Sequence, residues 1–315
     1  MPSPRNSLRS RTAIMLLTLS ALAGAPNLIT AAQDAASDVQ VLHDLRYGGT
    51  ERKRCTLDLA LPRGADGSRR PTIVVIHGGG WIEGDKSSFA SDEHGVPGNI
   101  VEFARLGFVA AAINYRLSSE APFPAALEDC QDALRFLRVH AEQYHIDTGR
   151  IGAYGNSAGG HLALLLGLIE GSADGQSDKP RPALSSCIQA VVSDSGPLDL
   201  VRQYEQNQLR SVVERFMGGT PTGNRLAEYK RASPISYVSE RTPPLLLIYG
   251  VTDEQVDVQH ADDFVSALGR AQRDDVTYVR LAAVGHCPHS LVRVPYLKTV
   301  VNEFFVRTLR AGEKP

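Results

Sequence analysis

Six short, mainly apolar runs constrain this chain more than any other feature: Ile73–Ile76, Val109–Ile113, Ile151–Tyr154, Ala190–Val192, Leu245–Tyr249 and Val276–Leu281. Strands apolar on both faces need cover on both faces, and a parallel sheet layered by helices supplies it. Helical patterns lie between the runs. Leu127, Cys130, Leu134 and Leu137 form one buried stripe at helical spacing, and Asn99–Leu106 stops at Gly107. His161–Ile169 is apolar almost all round, while Asp262–Gly269 and Leu291–Leu309 close the series. Strand and helix alternate over most of the chain, which predicts one α/β domain with a mostly parallel, doubly wound sheet. Ahead of it, Val39–Leu45 and the alternating Cys55–Leu61 predict an antiparallel opening.

One stretch breaks the alternation. Between Val192 and Leu245 the chain is polar and interrupted at Gly218, Gly219 and Pro221. Long connections between core strands are usually functional. A small cap or lid at about residues 197–241 is one expectation, and a plain extra helix at the sheet edge is the other.

Residues 1–32 read as an export signal. Arg5, Arg9 and Arg11 precede the apolar run Ala13–Ala25, with no acid before Asp34 and small residues at Thr30 and Ala32 for cleavage after Ala32. The run is too short to span a bilayer comfortably. Residues 33–315 are then the α/β domain, expected to be periplasmic or secreted, with no stable membrane insertion. The full chain has ordinary globular composition, 43% hydrophobic and 22% charged, and carries a net charge of −2. That balance, with no basic run, argues against nucleic acid as a partner. Cys55, Cys130, Cys187 and Cys287 are widely spaced and match no zinc pattern, so no metal is expected. Their disulfide state stays open.

Gly155-Asn156-Ser157-Ala158-Gly159 matches G-x-S-x-G, flanked by an apolar strand before and an apolar helix after. A nucleophile elbow needs that strand–turn–helix setting, because the backbone bends too sharply for side chains at the flanking glycines. Upstream, His77 and three glycines close another strand and lead into Trp81. Consecutive glycines let N–H groups turn outward. Gly79, Gly80 and Ala158 are therefore the candidate oxyanion hole, where each donor is worth about 3–4 kcal/mol of transition-state stabilisation. Trp81, the only tryptophan, is a candidate substrate contact. His77 is expected to shape the loop through a backbone hydrogen bond.

An acid and a histidine should follow the serine in that order. Asp253 sits in the loop after Leu245–Tyr249, with Glu254 and Asp257 as competitors. His286 follows the last strand, with His289 as its competitor. His43, His94, His140, His145 and His260 are expected at the surface or at caps, and His161 is expected to pack. The candidate catalytic set is Ser157, Asp253 and His286, working without a cofactor.

His77–Trp81 with Gly84–Lys86, Asn114–Arg116, Pro122–Ala125 with Asp129, Gly155–His161, Gly250–Asp253 and Gly285-His286 recur in one order. Together they resemble the α/β-hydrolase families that contain the hormone-sensitive-lipase-like esterases. The resemblance is greatest to the bacterial feruloyl- and acetyl-xylan-esterase-like carboxylesterases, and it covers roughly residues 40–310. It implies a serine carboxylesterase that takes a small-molecule or polysaccharide-linked ester. It also implies that Tyr115, Arg116 and Asp129 are scaffold. Two positions depart from the family pattern: Asp257 stands where a proline is common, and Cys287-Pro288 replaces glycine and an aromatic residue, which predicts a differently shaped rim. Amide or peptide cleavage on the same fold, and binding without turnover, are the alternatives.

Overall fold

The structure, a computed structural model, describes residues 14–15, 38–64, 67–90, 98–169, 186–206, 208–287 and 296–310. Among the described residues the sheet has nine strands, eight of which are β1 Val39–Arg46, β2 Thr56–Pro62, β3 Arg70–Ile76, β4 Val109–Ile113, β5 Ile146–Asn156, β6 Ala190–Asp194, β7 Leu245–Gly250 and β8 Val276–Leu281. Their order is β1-β2-β4-β3-β5-β6-β7-β8. The β1–β2 and β2–β4 pairs are antiparallel and the remaining pairs are parallel. The expected antiparallel opening and parallel body are therefore both present. At the far edge, the backbone of Ile14–Met15 runs parallel to Tyr278–Val279. The rest of the expected export segment, like His94 and His289, lies outside the described residues. Among those residues no helix is long and apolar enough to cross a membrane.

The buried runs divide between two faces, as the period of a strand requires. On β3, Val74 and Ile76 point into one core with helices α2 (Ala125–Val139) and α3 (Ala158–Leu168). Ile73 and Val75 point into a second core with α1 (Ile100–Arg105) and the C-terminal helix (Tyr296–Leu309). Both faces are thus covered by buried apolar side chains. The helix ends follow local chemistry. Asn99 caps α1 by accepting from the N–H groups of Val101 and Glu102, and Gly107, at φ 88°, turns the chain back toward β4.

Residues 197–241 fold as three short helices, α4 Leu200–Glu205, α5 Arg210–Met217 and α6 Arg225–Arg231, followed by a 3-10 turn at Pro234–Tyr237. Two buried histidines pin this insert. His161 donates from Nε2 to the Ala232 carbonyl at 2.7 Å. His260, on helix α7 (Gln259–Arg270), accepts at Nδ1 from the Leu198 and Asp199 N–H groups. His260 is thus an interior cap and not a surface residue. All four cysteines are free thiols.

The scaffold cluster implied by the family resemblance is also in place. Asp129 is fully buried and accepts from Arg52 at 2.8 Å and from both the backbone N–H and Nε of Arg116.

Candidate active site

β5 ends against α3 in a turn too tight for side chains on its flanks. A Cβ at Gly155 would lie 2.2 Å from the Gly159 carbonyl oxygen, and one at Gly159 would lie 2.0 Å from that of Ile76. Between them Ser157 holds φ 51° and ψ −122°, a strained conformation for a residue with a side chain. Its N–H donates to the Asp194 carbonyl at the end of β6, 2.7 Å away. The strain thus rests on two fixed strands, and the hydroxyl projects at the start of α3.

The glycine loop leaves the neighbouring strand β3. His77 donates from Nδ1 to the Gly78 carbonyl at 2.7 Å, and its ring stacks on Tyr115 at 4.4 Å. Burial lowers the His77 pKa to about 4, so the ring is neutral. Gly79 and Gly80 adopt φ 101° and 56°. The Gly79 carbonyl is turned inward and accepts from Ile82 and Glu83. Among the described residues, the N–H groups of Gly79, Gly80 and Ala158 meet no acceptor inside the protein, which leaves three donors for a ligand oxygen.

Trp81 does not take the substrate-facing place expected for it. Its indole is 2% exposed, stacks on Phe216 of α5 at 4.3 Å and meets the edge of His161. The apolar ring gains more from burial beneath the insert than a face on solvent would give it. In consequence α5 is fixed above the glycine loop, and Val212 comes within 3.0 Å of where a Cβ on Gly80 would sit.

Asp253 and His286 arrive from the ends of β7 and β8. One Asp253 oxygen accepts from His286 Nδ1 at 2.7 Å, and the other accepts from the N–H groups of Gln255 and Val256 at 2.8 and 2.9 Å. His286 Nε2 lies 2.9 Å from Ser157 Oγ. The hydroxyl therefore donates to Nε2 while Nδ1–H donates to the carboxylate, an arrangement that can pass the serine proton to the imidazole. The competing acids are elsewhere. Asp257 accepts from the Gln259 N–H at the start of α7, and Glu254 is exposed.

Cys287 departs from the expectation of a rim residue. It is buried, with φ 49°, and its N–H donates to Ser195 Oγ at 3.1 Å, so it underlies the histidine loop. Asn156, in the variable position of the serine motif, was not singled out by the sequence. Its Oδ1 accepts from the Gly78 N–H at 3.0 Å. No signal in a single sequence marks that contact, because it joins segments 78 residues apart.

The chain is 29% identical over 252 residues to the probable carboxylic ester hydrolase LipM of Mycobacterium tuberculosis, covering 78% of this chain and 57% of LipM. It spans 52–57% of the length of LipM and two further mycobacterial esterases that it matches. A thermophilic esterase of Thermogutta terrifontis superposes with a TM-score of 0.68 at 25% identity, covering 89% of this chain and 96% of that one. A bifunctional GH43-CE protein of Bacteroides eggerthii gives 0.69 at 27% identity, over 84% of this chain and 38% of its own. The strand order, the serine turn at the end of β5 and these neighbours define an α/β-hydrolase fold. The BD-FAE family model matches residues 57–268, two-thirds of the sequence, and the chain belongs to that family.

Proposed function

We propose that the protein hydrolyses carboxylic esters through an acyl-enzyme on Ser157. The observation that carries this reading is the unbroken chain Asp253–His286–Ser157, set beside three N–H groups with no acceptor among the described residues. Ser157 Oγ attacks the carbonyl carbon while its proton passes to His286 Nε2. The oxyanion that forms accepts from Gly79, Gly80 and Ala158 N–H groups, and Asp253 stabilises the imidazolium. Collapse breaks the ester C–O bond, and His286 returns the proton to the departing alkoxide to give the alcohol. Water then attacks the acyl-enzyme, its proton goes to His286, and the free acid leaves as Ser157 recovers its proton.

The insert at residues 197–241 acts in this reading as a cap, because α5 stands over the glycine loop and narrows the approach to it. A low cap so close to the hole favours short acyl groups, on small molecules or attached to carbohydrate. The esterase relatives support the ester class, and the N-terminal residue pattern supports export.

Hydrolysis of p-nitrophenyl esters from acetate to palmitate, by the wild type and Ser157→Ala side by side, tests the assignment. Loss of the nucleophile lowers turnover by about a million-fold. Equal activity in the two proteins would remove Ser157 from the mechanism, and inactivity of both would direct the search to amides and peptides.

A further inference from the structure

We infer that Asn156 is a positioning residue for the oxyanion loop, an inference that rests on the ester-hydrolase reading above. The Gly78 N–H is the first donor of the glycine run, and Asn156 Oδ1 accepts it at 3.0 Å. Gly78 has no room to drift: a Cβ there would lie 2.9 Å from the Asn156 carbonyl and 3.2 Å from Ser157 Cβ. The Asn156 bond fixes the His77–Gly78 peptide plane at the entry of the loop. The next two planes, which carry the Gly79 and Gly80 N–H groups, start from it. They are held further on by the Gly78 carbonyl on His77 Nδ1 and the Gly79 carbonyl on the Ile82 and Glu83 N–H groups. A glycine run has no side chains to anchor its first N–H, and Asn156 supplies that anchor from outside the loop.

The same carboxamide reaches the third arm of the site. Asn156 Nδ2 lies 3.9 Å from Cys287 Sγ, a weak acceptor directly after His286. Cys287 is held in turn by Ser195 Oγ, which donates to Asp194, and the Asp194 carbonyl accepts the Ser157 N–H. Asn156 therefore sits where the nucleophile, the glycine loop and the histidine loop meet. It touches none of the reacting atoms. Its effect passes through the direction of the loop N–H groups, which matters most when negative charge appears on the oxygen.

The experiment compares wild type, Asn156→Ala and Asn156→Asp with p-nitrophenyl acetate. It also measures inhibition by 1,1,1-trifluorobutan-2-one, whose carbonyl adds Ser157 Oγ and places an oxyanion in the hole. Asn156→Ala is expected to lower kcat by 10- to 100-fold with KM within threefold, and to weaken the ketone by a similar factor. Asn156→Asp keeps an acceptor for the Gly78 N–H and is expected to stay within about fivefold of wild type on both measures. The inference is overturned if Asn156→Ala retains kcat within twofold, if its loss falls on KM, or if it lowers the melting temperature without weakening the ketone. It is also overturned if the aspartate is as impaired as the alanine. The two readings fail separately: an active Ser157→Ala removes the mechanism, whereas an inactive Ser157→Ala beside an unimpaired Asn156→Ala removes only this inference.

Discussion

Asp253 divides its carboxylate between His286 and the start of its own loop: Oδ2 takes the imidazole N–H at 2.7 Å and Oδ1 takes two backbone N–H groups. The acid is therefore fixed before the histidine docks on it, and the imidazole can present only Nε2 to Ser157. Asp253→Asn replaces an anion that stabilises the imidazolium with an amide that can favour the wrong tautomer. Turnover on p-nitrophenyl acetate should fall by about 10⁴-fold with the fold intact by circular dichroism. Asp257→Asn, which alters only contacts with the Gln259 N–H and the Gln206 side chain, should leave kcat within about twofold.

The elbow glycines make a sharper structural demand. Gly159→Ala puts a carbon 2.0 Å from the Ile76 carbonyl, and neither β3 nor α3 can retreat without disturbing a buried core. We expect a loss of about 3 kcal/mol or more, read as a lowered denaturant midpoint. Soluble protein of wild-type stability would mean that the strand–helix approach is looser than the structure has it.

Stability should also respond to pH in a defined window. Burial lowers the pKa values of His77, His161 and His260 each to about 4. The unfolded chain binds these protons near the ordinary value of about 6.5. Between the two the unfolded state holds more protons, so stability is complete above about pH 6.5 and declines as pH falls toward 4. Chemical denaturation at half-unit steps should show this slope. His260→Asn, whose side chain can still accept the Leu198 and Asp199 N–H groups, should reduce it by up to about 1.4 kcal/mol per pH unit.

Phe216 links the insert to the body through its stack on Trp81. Phe216→Ala should cost about 3–5 kcal/mol and leave α5 less firmly seated above Gly80. In the ester assay the variant should accept longer acyl chains better relative to acetate. An unchanged acyl profile in a destabilised protein would limit Phe216 to packing.

Asp129 offers a control outside the site. Removing this fully buried carboxylate takes the shared partner from Arg52 and Arg116, which keep Asp132 and Glu128 respectively, so Asp129→Ala should lose about 3 kcal/mol of stability. Folded Asp129→Ala should keep a wild-type KM, since the cluster meets none of the residues that line the serine.

Much of this was legible in the residues themselves. The apolar runs at Ile73–Ile76 and Leu245–Tyr249 required burial on both faces, and so a covered parallel sheet. Gly155 and Gly159 marked a turn with no space for side chains, and the chain order of Ser157, Asp253 and His286 left few ways to pair them. These are local demands, set by periodicity and sterics over a handful of residues. Trp81, Cys287, His260 and Asn156 were decided by partners far along the chain. An apolar ring goes where the insert can cover it, a thiol fills the space under a loop, and a carboxamide takes whichever N–H the fold brings within 3.0 Å. Such choices depend on which surfaces meet after the sheet is assembled, so only the tertiary structure could make them.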